Sequence, residues 1–385
     1  MENRYFTEEH KMLKEMTREF AQNEVAPLAK EIDENSTFPW ESVKKMSELG
    51  LMGIPWSEKY GGTGMDTLAL VIAVEEIGQV CPSTAATLMA HTSLGTTPIY
   101  LFGTEKQKQK YIPRLASGEI IGAFGLTEPN AGSDAGNTQT KAVRDGDEYV
   151  VNGQKIFCTN AGVAEVIVFT AKIIEDGEDK GIGSFLVEAG TEGLSLSPPE
   201  KKMGWKASDT RAIYFENMRI PKLNMLGDPE QGFKQFLRTL TGGRITIGAL
   251  GLGTAMGSYN AALAYSQERE AFGRSINRFQ GISFKLADIA TRIQAARHLV
   301  YHAAWQKDQN LDVIKEAAMA KLFSSETAMY VTTEAIQILG GYGYIKEYEV
   351  ERFFRDAKIL EIGEGTSEIQ RIIISREILK PLQAA

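Results

Sequence analysis

The sequence predicts an α+β fold in three consecutive parts, from two observations. Apolar residues recur at helical spacing over the first 120 or so residues and again from about 229, and between these segments the period drops to two. Residues 1–120 therefore read as a helical domain, 121–228 as a β domain and 229–385 as a helical bundle. A chain of 385 residues is also too long for one ordinary core, so two or three domains are expected.

In the first part, Leu13, Met16, Phe20 and Val25 recur near helical spacing, and Thr7-Glu8-Glu9 offers an N-cap. Gly50, Gly61 and Gly62 punctuate the loops. Val71 to Glu76 and the apolar run from Leu88 to Leu101 predict further helices, and Thr104 caps another. In the second part, Asp145-Gly146 splits Val143–Val151 into a hairpin, and Asn152-Gly153 reads as a second turn. Residues 165–170, 183–187 and 212–215 are β-branched and aromatic, as strands prefer, and Pro198-Pro199 interrupts the sheet. In the third part, Gln231–Arg269, Ser283–Gln309 and Val313–Leu339 are long enough for a bundle. Gly248, Gly251, Gly253 and Gly257 would weaken an isolated helix, so they suit close packing on a helix or a ligand. Long terminal helices of this kind favour a symmetric oligomer.

Composition narrows the function. The chain is 43% hydrophobic and 24% charged, as in soluble globular proteins. A net charge of −8 argues against nucleic acid or an anionic membrane as the main partner. Cys81 and Cys158 lack metal-ligand spacing and read as reduced, buried thiols. His298 and His302 are four apart, but no acid or cysteine ligand accompanies them, so no metal is expected. No signal peptide, transit peptide or membrane span is read, and the expected location is cytoplasmic.

Three motifs carry chemistry. Glu364 lies between Gly363 and Gly365, just before a helix whose N-cap is Thr366 or Ser367. A carboxylate there can act as a general base, with free backbone N–H groups nearby for a developing oxyanion; a turn with one exposed acid is the alternative. The loop from Phe124 to Asp134 is dense in turn formers and hydroxyls, suited to a heterocycle edge or a pyrophosphate, or simply a polar loop. It contains no G-x-G-x-x-G or P-loop pattern. In Lys155–Asn160, alternation puts Phe157 and Thr159 on one face, as a flat conjugated cofactor would want and as an ordinary strand would also have.

These motifs resemble those of the acyl-CoA dehydrogenase family. So do Arg269-Glu270-Ala271-Phe272-Gly273, Phe279-Gln280, Gln337-Ile338-Leu339-Gly340-Gly341-Tyr342-Gly343 and Glu364-Gly365-Thr366, in the family's order from first helix to last. The resemblance implies an N-terminal helical domain, a middle β-barrel or sandwich and a C-terminal four-helix bundle. It also implies a homotetramer, a dimer of dimers, with FAD bound across a subunit interface.

Residue by residue, the resemblance implies that Phe124, Leu126, Thr127, Gly132 and Ser133 contact the isoalloxazine and pyrophosphate. Phe157 would pack on the flavin and Thr159 would hydrogen-bond its N5. Arg269, Ala271, Phe279, Gln280, Gln337, Gly340 and Gly341 would hold the adenosine diphosphate half, with Thr366 and Glu368 completing the cofactor site. On the substrate side stand Ser133 at the pantetheine arm, Arg244 supporting coenzyme A, and Thr87, His91, Leu94, Gly243, Gly363 and Gly365 around the acyl group. A lone histidine at 91 also suits plain packing.

The implied reaction is α,β-dehydrogenation of a short, branched or alicyclic acyl-CoA. Glu364 takes the α-proton, hydride leaves the β-carbon for FAD, and electrons pass on to an electron-transfer flavoprotein. Some members carry the base on the helix of Gly243; glycine at 243 with glutamate at 364 assigns it here to Glu364. Gly363 stands where many straight-chain members have tyrosine, which widens the expected pocket. An acyl-CoA oxidase or another flavin-dependent carbon-acid oxidase on the same fold is the alternative, and a non-catalytic acyl-CoA-binding scaffold a remoter one.

Overall fold

The computed structural model describes residues 5–383. The first segment forms α1 (Glu8–Phe20), α2 (Ala26–Asn35), α3 (Trp40–Glu48), α4 (Thr67–Gly78), α5 (Pro82–Met89), α6 (Thr97–Phe102) and α7 (Glu105–Ala116). Thr7 caps α1 by accepting the His10 N–H, and Thr104 caps α7 in a reciprocal box with Gln107. Every residue of α4 is buried, which makes it the central helix of this part. The expected run from Leu88 to Leu101 is helical throughout, with a π-helical turn, Ala90–Thr96, between α5 and α6. Such turns are rare and tend to lie at functional sites.

The second segment forms β1 (Gly122–Gly125), β2 (Lys141–Asp145), β3 (Glu148–Thr159), β4 (Val166–Glu175), β5 (Glu178–Glu188), β6 (Leu194–Leu196), β7 (Thr210–Pro221) and β8 (Met225–Leu226). Asp145 pairs with Glu148 across the predicted hairpin turn. Asn152-Gly153 is no turn. β3 runs straight through it with a one-residue register slip, and a Cβ on Gly153 would sit 2.5 Å from Thr140 Oγ1. A bulge uses the same left-handed chemistry as a hairpin, and here the crossing strand end decides between them.

The strands join in the order β6-β7-β3-β2-β4-β5-β8, with β1 also paired parallel to β4. Two strands separate β4 from β7, yet Phe169 and Phe215 meet with ring centroids 4.5 Å apart. The sheet therefore curls onto itself, enclosing Tyr149, Phe169, Phe185 and Phe215.

The third segment forms α8 (Gly232–Glu268), a small hairpin of β9 (Glu270–Ala271) and β10 (Arg274–Ser275), α9 (Gln280–Asp308), α10 (Ile314–Leu339), the single turn α11 (Gly341–Tyr344), α12 (Val350–Ala357) and α13 (Ser367–Gln383). It shares one core with the first segment: Val71, Ile72, Leu250, Ile289 and Val331 belong to the same buried cluster. The α8 glycines permit that contact. A Cβ on Gly253 would lie 2.5 Å from Glu75 O and one on Gly257 2.1 Å from Gln79 O. Asp308, at the end of α9, accepts the Thr67 and Leu68 N–H groups at 2.8 and 3.0 Å and so helps cap α4. Among the described residues no helix is long and apolar enough to cross a membrane.

Candidate active site

The chain reaches Glu364 through α12 and a short 3₁₀ turn, Lys358–Glu361, then enters α13 with Thr366 as cap, its Oγ1 accepting the Ile369 N–H at 3.3 Å. Glu364 (φ 52°) and Gly365 (φ 97°) are both left-handed. For glutamate that conformation costs on the order of 1 kcal/mol, so the surroundings must hold it. Gln370 Nε2 donates to Glu364 O at 3.3 Å and to Gly365 O at 2.9 Å, and Lys321 Nζ donates to Gly365 O at 2.7 Å.

The turn drives the side chain onto α8 at Gly243, where a Cβ would lie 2.0 Å from Glu364 Oε2. Both carboxylate oxygens are shielded from solvent, and neither has a hydrogen-bond partner among the described residues. Burial accordingly raises the Glu364 pKa to about 7, against the opposing pull of the Lys321 and Arg244 charges. Its own N–H has no backbone acceptor among the described residues, which leaves that donor free for an oxyanion.

Leu94, in the π-helical turn, also meets Gly243, at 3.3 Å from a Cβ there. Gly95 beside it packs so closely on β1 that a Cβ would lie 2.5 Å from the carbonyl carbon of Gly122. The π turn thus binds α8 and β1 together at the site. A Cβ on Gly363 would be accepted without collision, in ordinary contact with Ile359 O at 3.5 Å.

Three of the residues expected on the substrate side are buried here. Thr87 and His91 have no accessible surface. The His91 Nε2 lies 3.0 Å from Leu115 O and its Nδ1 accepts the Gly122 N–H at 3.1 Å, which pins β1 to the helices; burial lowers its pKa to about 4. Arg244, expected at the coenzyme A portion, is buried and exerts its charge on Glu364.

The Phe124–Asp134 loop leaves β1 beside this helix. Phe124 stacks on Phe236 at 4.8 Å, two turns before Gly243 on α8 and so about 10 Å from it along the axis. The loop is zipped to β3 by the Ile156 N–H donating to Thr127 O at 2.7 Å. Beneath it Lys155 and Glu128, both buried, pair at 2.7 Å, and Glu128 also accepts the Gln139 and Thr140 N–H groups. Phe157 does not follow plain strand alternation. A bulge between Lys155 and Cys158 puts it at φ 57° with 63% of its surface exposed, while Thr159 stays half-buried.

Around this bulge Leu126 and Thr127 are half-buried, Gly132 and Ser133 are exposed, and a Cβ on Gly132 would meet nothing within 4 Å. An open aromatic and hydroxyl face on a rigid charged foundation fits a flat, hydrogen-bonding ring system such as a flavin.

A separate cluster forms where α8, α10 and α11 meet. Arg269, Gly340 and Gly341 line one surface cavity of about 460 Å³, and the Arg269 guanidinium lies over Tyr342 at 5.9 Å. Gln280 and Gln337 are exposed, and Ala271 and Phe279 half-buried, Phe279 beneath Arg274 at 4.2 Å. Thr366 caps α13 and Glu368 is exposed in its first turn. Glu128, Lys155, Lys321 and Gln370 went unnoticed in sequence, where each reads as an ordinary polar residue.

Two outcomes test this geometry. Lys155→Met should cost about 3–5 kcal/mol in a denaturant melt, because it strands the buried Glu128 carboxylate, and adding Glu128→Gln should recover part of the loss. Gly243→Ala should displace the Glu364 side chain, visible in a crystal structure of the variant, at a cost of about 1–3 kcal/mol.

Comparison with known proteins agrees over the whole chain. The N-terminal, middle and C-terminal domains of acyl-CoA dehydrogenases match residues 7–119, 123–218 and 230–379. A short-chain specific acyl-CoA dehydrogenase of Clostridium acetobutylicum is 52% identical, over 97% of this chain and 99% of that protein. The solved butyryl-CoA dehydrogenase of Megasphaera elsdenii superposes with a TM-score of 0.94 at 42% identity, covering 97% of this chain and 99% of that one. A chain solved in work on the electron transferring flavoprotein of Acidaminococcus fermentans and its electron bifurcation has a TM-score of 0.94 at 47% identity, covering 97% of this chain and 98% of that one. The chain belongs to the acyl-CoA dehydrogenase family, FAD-dependent oxidoreductases that act on the CH–CH bond of acyl-CoA.

Proposed function

We propose that this enzyme oxidises a short, branched or alicyclic acyl-CoA to its 2-enoyl-CoA with Glu364 as the base. The observation that carries the reading is the Glu364 carboxylate, desolvated and without a hydrogen bond. A C–H group is no competing hydrogen-bond donor, so a base that must remove a carbon-bound proton gains from being left unpaired. Glu364 takes the α-proton of the thioester, the Glu364 N–H faces the thioester oxygen as negative charge develops there, and the α,β double bond forms as the β-hydrogen leaves. Bound FAD supplies the acceptor for that β-hydrogen as hydride.

Phe157 and Thr159 would offer a face and a hydroxyl to the cofactor ring, with Phe124, Leu126, Thr127, Gly132 and Ser133 along its edge. Arg269, Ala271, Phe279, Gln280, Gln337, Gly340 and Gly341 would serve the adenosine half of a neighbouring subunit's cofactor. The proposed assembly is a homotetramer; apolar surface left bare on one chain, including Phe272 at 96% and Phe284 at 62% exposure, supports self-association. The relative solved in electron transferring flavoprotein work supports such a flavoprotein as electron acceptor. Rapid peroxide formation by the reduced enzyme in air would favour the oxidase reading instead.

Glu364→Gln should retain FAD yet lose flavin bleaching by butyryl-CoA, at least about 10³-fold, and full activity would sink the assignment. In the parent enzyme the bleaching rate should rise with pH through about 7, because Glu364 acts only when ionised and burial has raised its pKa to that value. Gly363→Tyr should slow isobutyryl- and cyclohexanecarboxyl-CoA while sparing butyryl-CoA, since the backbone at Gly363 accepts a Cβ without collision and a ring there would narrow the space beside the base. An unchanged ratio of branched to straight substrates would show that Gly363 is not the widening device.

A further inference from the structure

Lys321 is the most unusual lysine of the helical bundle. It lies on α10 with no accessible surface, and its one hydrogen bond among the described residues goes to a neutral acceptor, Gly365 O at 2.7 Å. A buried ammonium is costly, and Gln370 Nε2 already donates to the same carbonyl at 2.9 Å. If the task were only to hold that carbonyl, an uncharged donor would do it at lower cost. What a lysine adds is charge, one residue from the orphaned Glu364 carboxylate.

We propose that Lys321 is a positioning residue for the reaction, acting through Glu364. Its ammonium fixes the left-handed Glu364–Gly365 turn by the carbonyl that follows the base, and its charge favours the ionised carboxylate in a site where water and hydrogen bonds do not. The inference rests on the reading of Glu364 as the base.

The other charged groups around Lys321 fit this role. Arg244 approaches from α8, Glu361 from the 3₁₀ turn before the base, and Glu368 from the first turn of α13. Neither Lys321 nor Arg244 hydrogen-bonds the carboxylate, since both its oxygens lack such a partner among the described residues. Direct pairing would hold the base as a salt bridge and weaken it. Two cations at a remove keep it charged but reactive, and they remain in place when its negative charge passes to the substrate oxygen. Burial lowers the Lys321 pKa to about 8, so Lys321 is still protonated where Glu364 ionises near 7.

The test compares Lys321→Gln, which keeps a donor for Gly365 O without the charge, with Lys321→Met, which keeps neither, both as FAD-loaded protein. The first readout is the infrared stretch of the protonated Glu364 carboxyl, identified by its absence in Glu364→Gln and titrated without substrate. The second is the pH profile of flavin bleaching by butyryl-CoA. Removing a positive charge favours the protonated acid, so both variants should move the Glu364 midpoint and the rising limb up by about one pH unit or more. Bleaching would then be about fivefold or more slower at pH 7 and would recover at higher pH.

A midpoint that stays in place in Lys321→Gln overturns the proposal, even if rates fall at every pH, for that is what a purely structural clamp would do. If Lys321→Met does not fold, Lys321→Gln alone decides. Failure of the underlying reading is seen separately, as bleaching that survives in Glu364→Gln.

Discussion

A carboxylate shut away from water without a hydrogen bond is a costly thing to keep, and the site around Glu364 is arranged to keep one. The turn that carries it is left-handed at two successive residues and is clamped from α10 by Lys321 and from α13 by Gln370. The helix it faces has no side chain at Gly243, because a methyl group there would occupy the space of the carboxylate oxygen.

The architecture serves that constraint through rigid, shared packing. The first and last helical segments enclose one core, so the turn before α13 is supported by helices from both ends of the chain. The curled β sheet has its own aromatic core and presents the Phe124–Asp134 loop and the Phe157 bulge beside α8. Between these units runs the π-helical turn Ala90–Thr96, which meets Gly243 through Leu94, Gly122 through Gly95, and β1 again through the His91 ring. Function is built where three elements meet, each held by contacts that cannot slide without a collision.

Much of this was legible in the sequence because it rests on local chemistry. Thr7, Thr104 and Thr366 cap helices as hydroxyls do, Asp145-Gly146 turns a hairpin, and the long helices α8, α9 and α10 begin and end within a few residues of the predicted bounds. Glycines flanking an acid marked Glu364. What the sequence could not convey depends on distant partners. Asn152-Gly153 carries the signal of a turn, and only Thr140 lying across it makes it a bulge. Nothing in the apolar run from Leu88 marks the π turn that sets Gly95 against Gly122. Lys321 is indistinguishable from any helical lysine until burial removes its water, and the burial of Arg244 near the base is equally invisible in the sequence.

The central claim is that Glu364 removes a carbon-bound proton, and proton removal can be measured apart from oxidation. An acyl-CoA analogue with sulfur in place of the β-carbon has no β-hydrogen to lose, yet keeps an acidic α-hydrogen. Incubated with the FAD-loaded enzyme in D₂O, it should exchange that hydrogen for deuterium in the parent protein, faster as pH rises through about 7, and not in Glu364→Gln. Exchange that persists at the parent rate in Glu364→Gln would contradict the account, whatever that variant does to overall turnover.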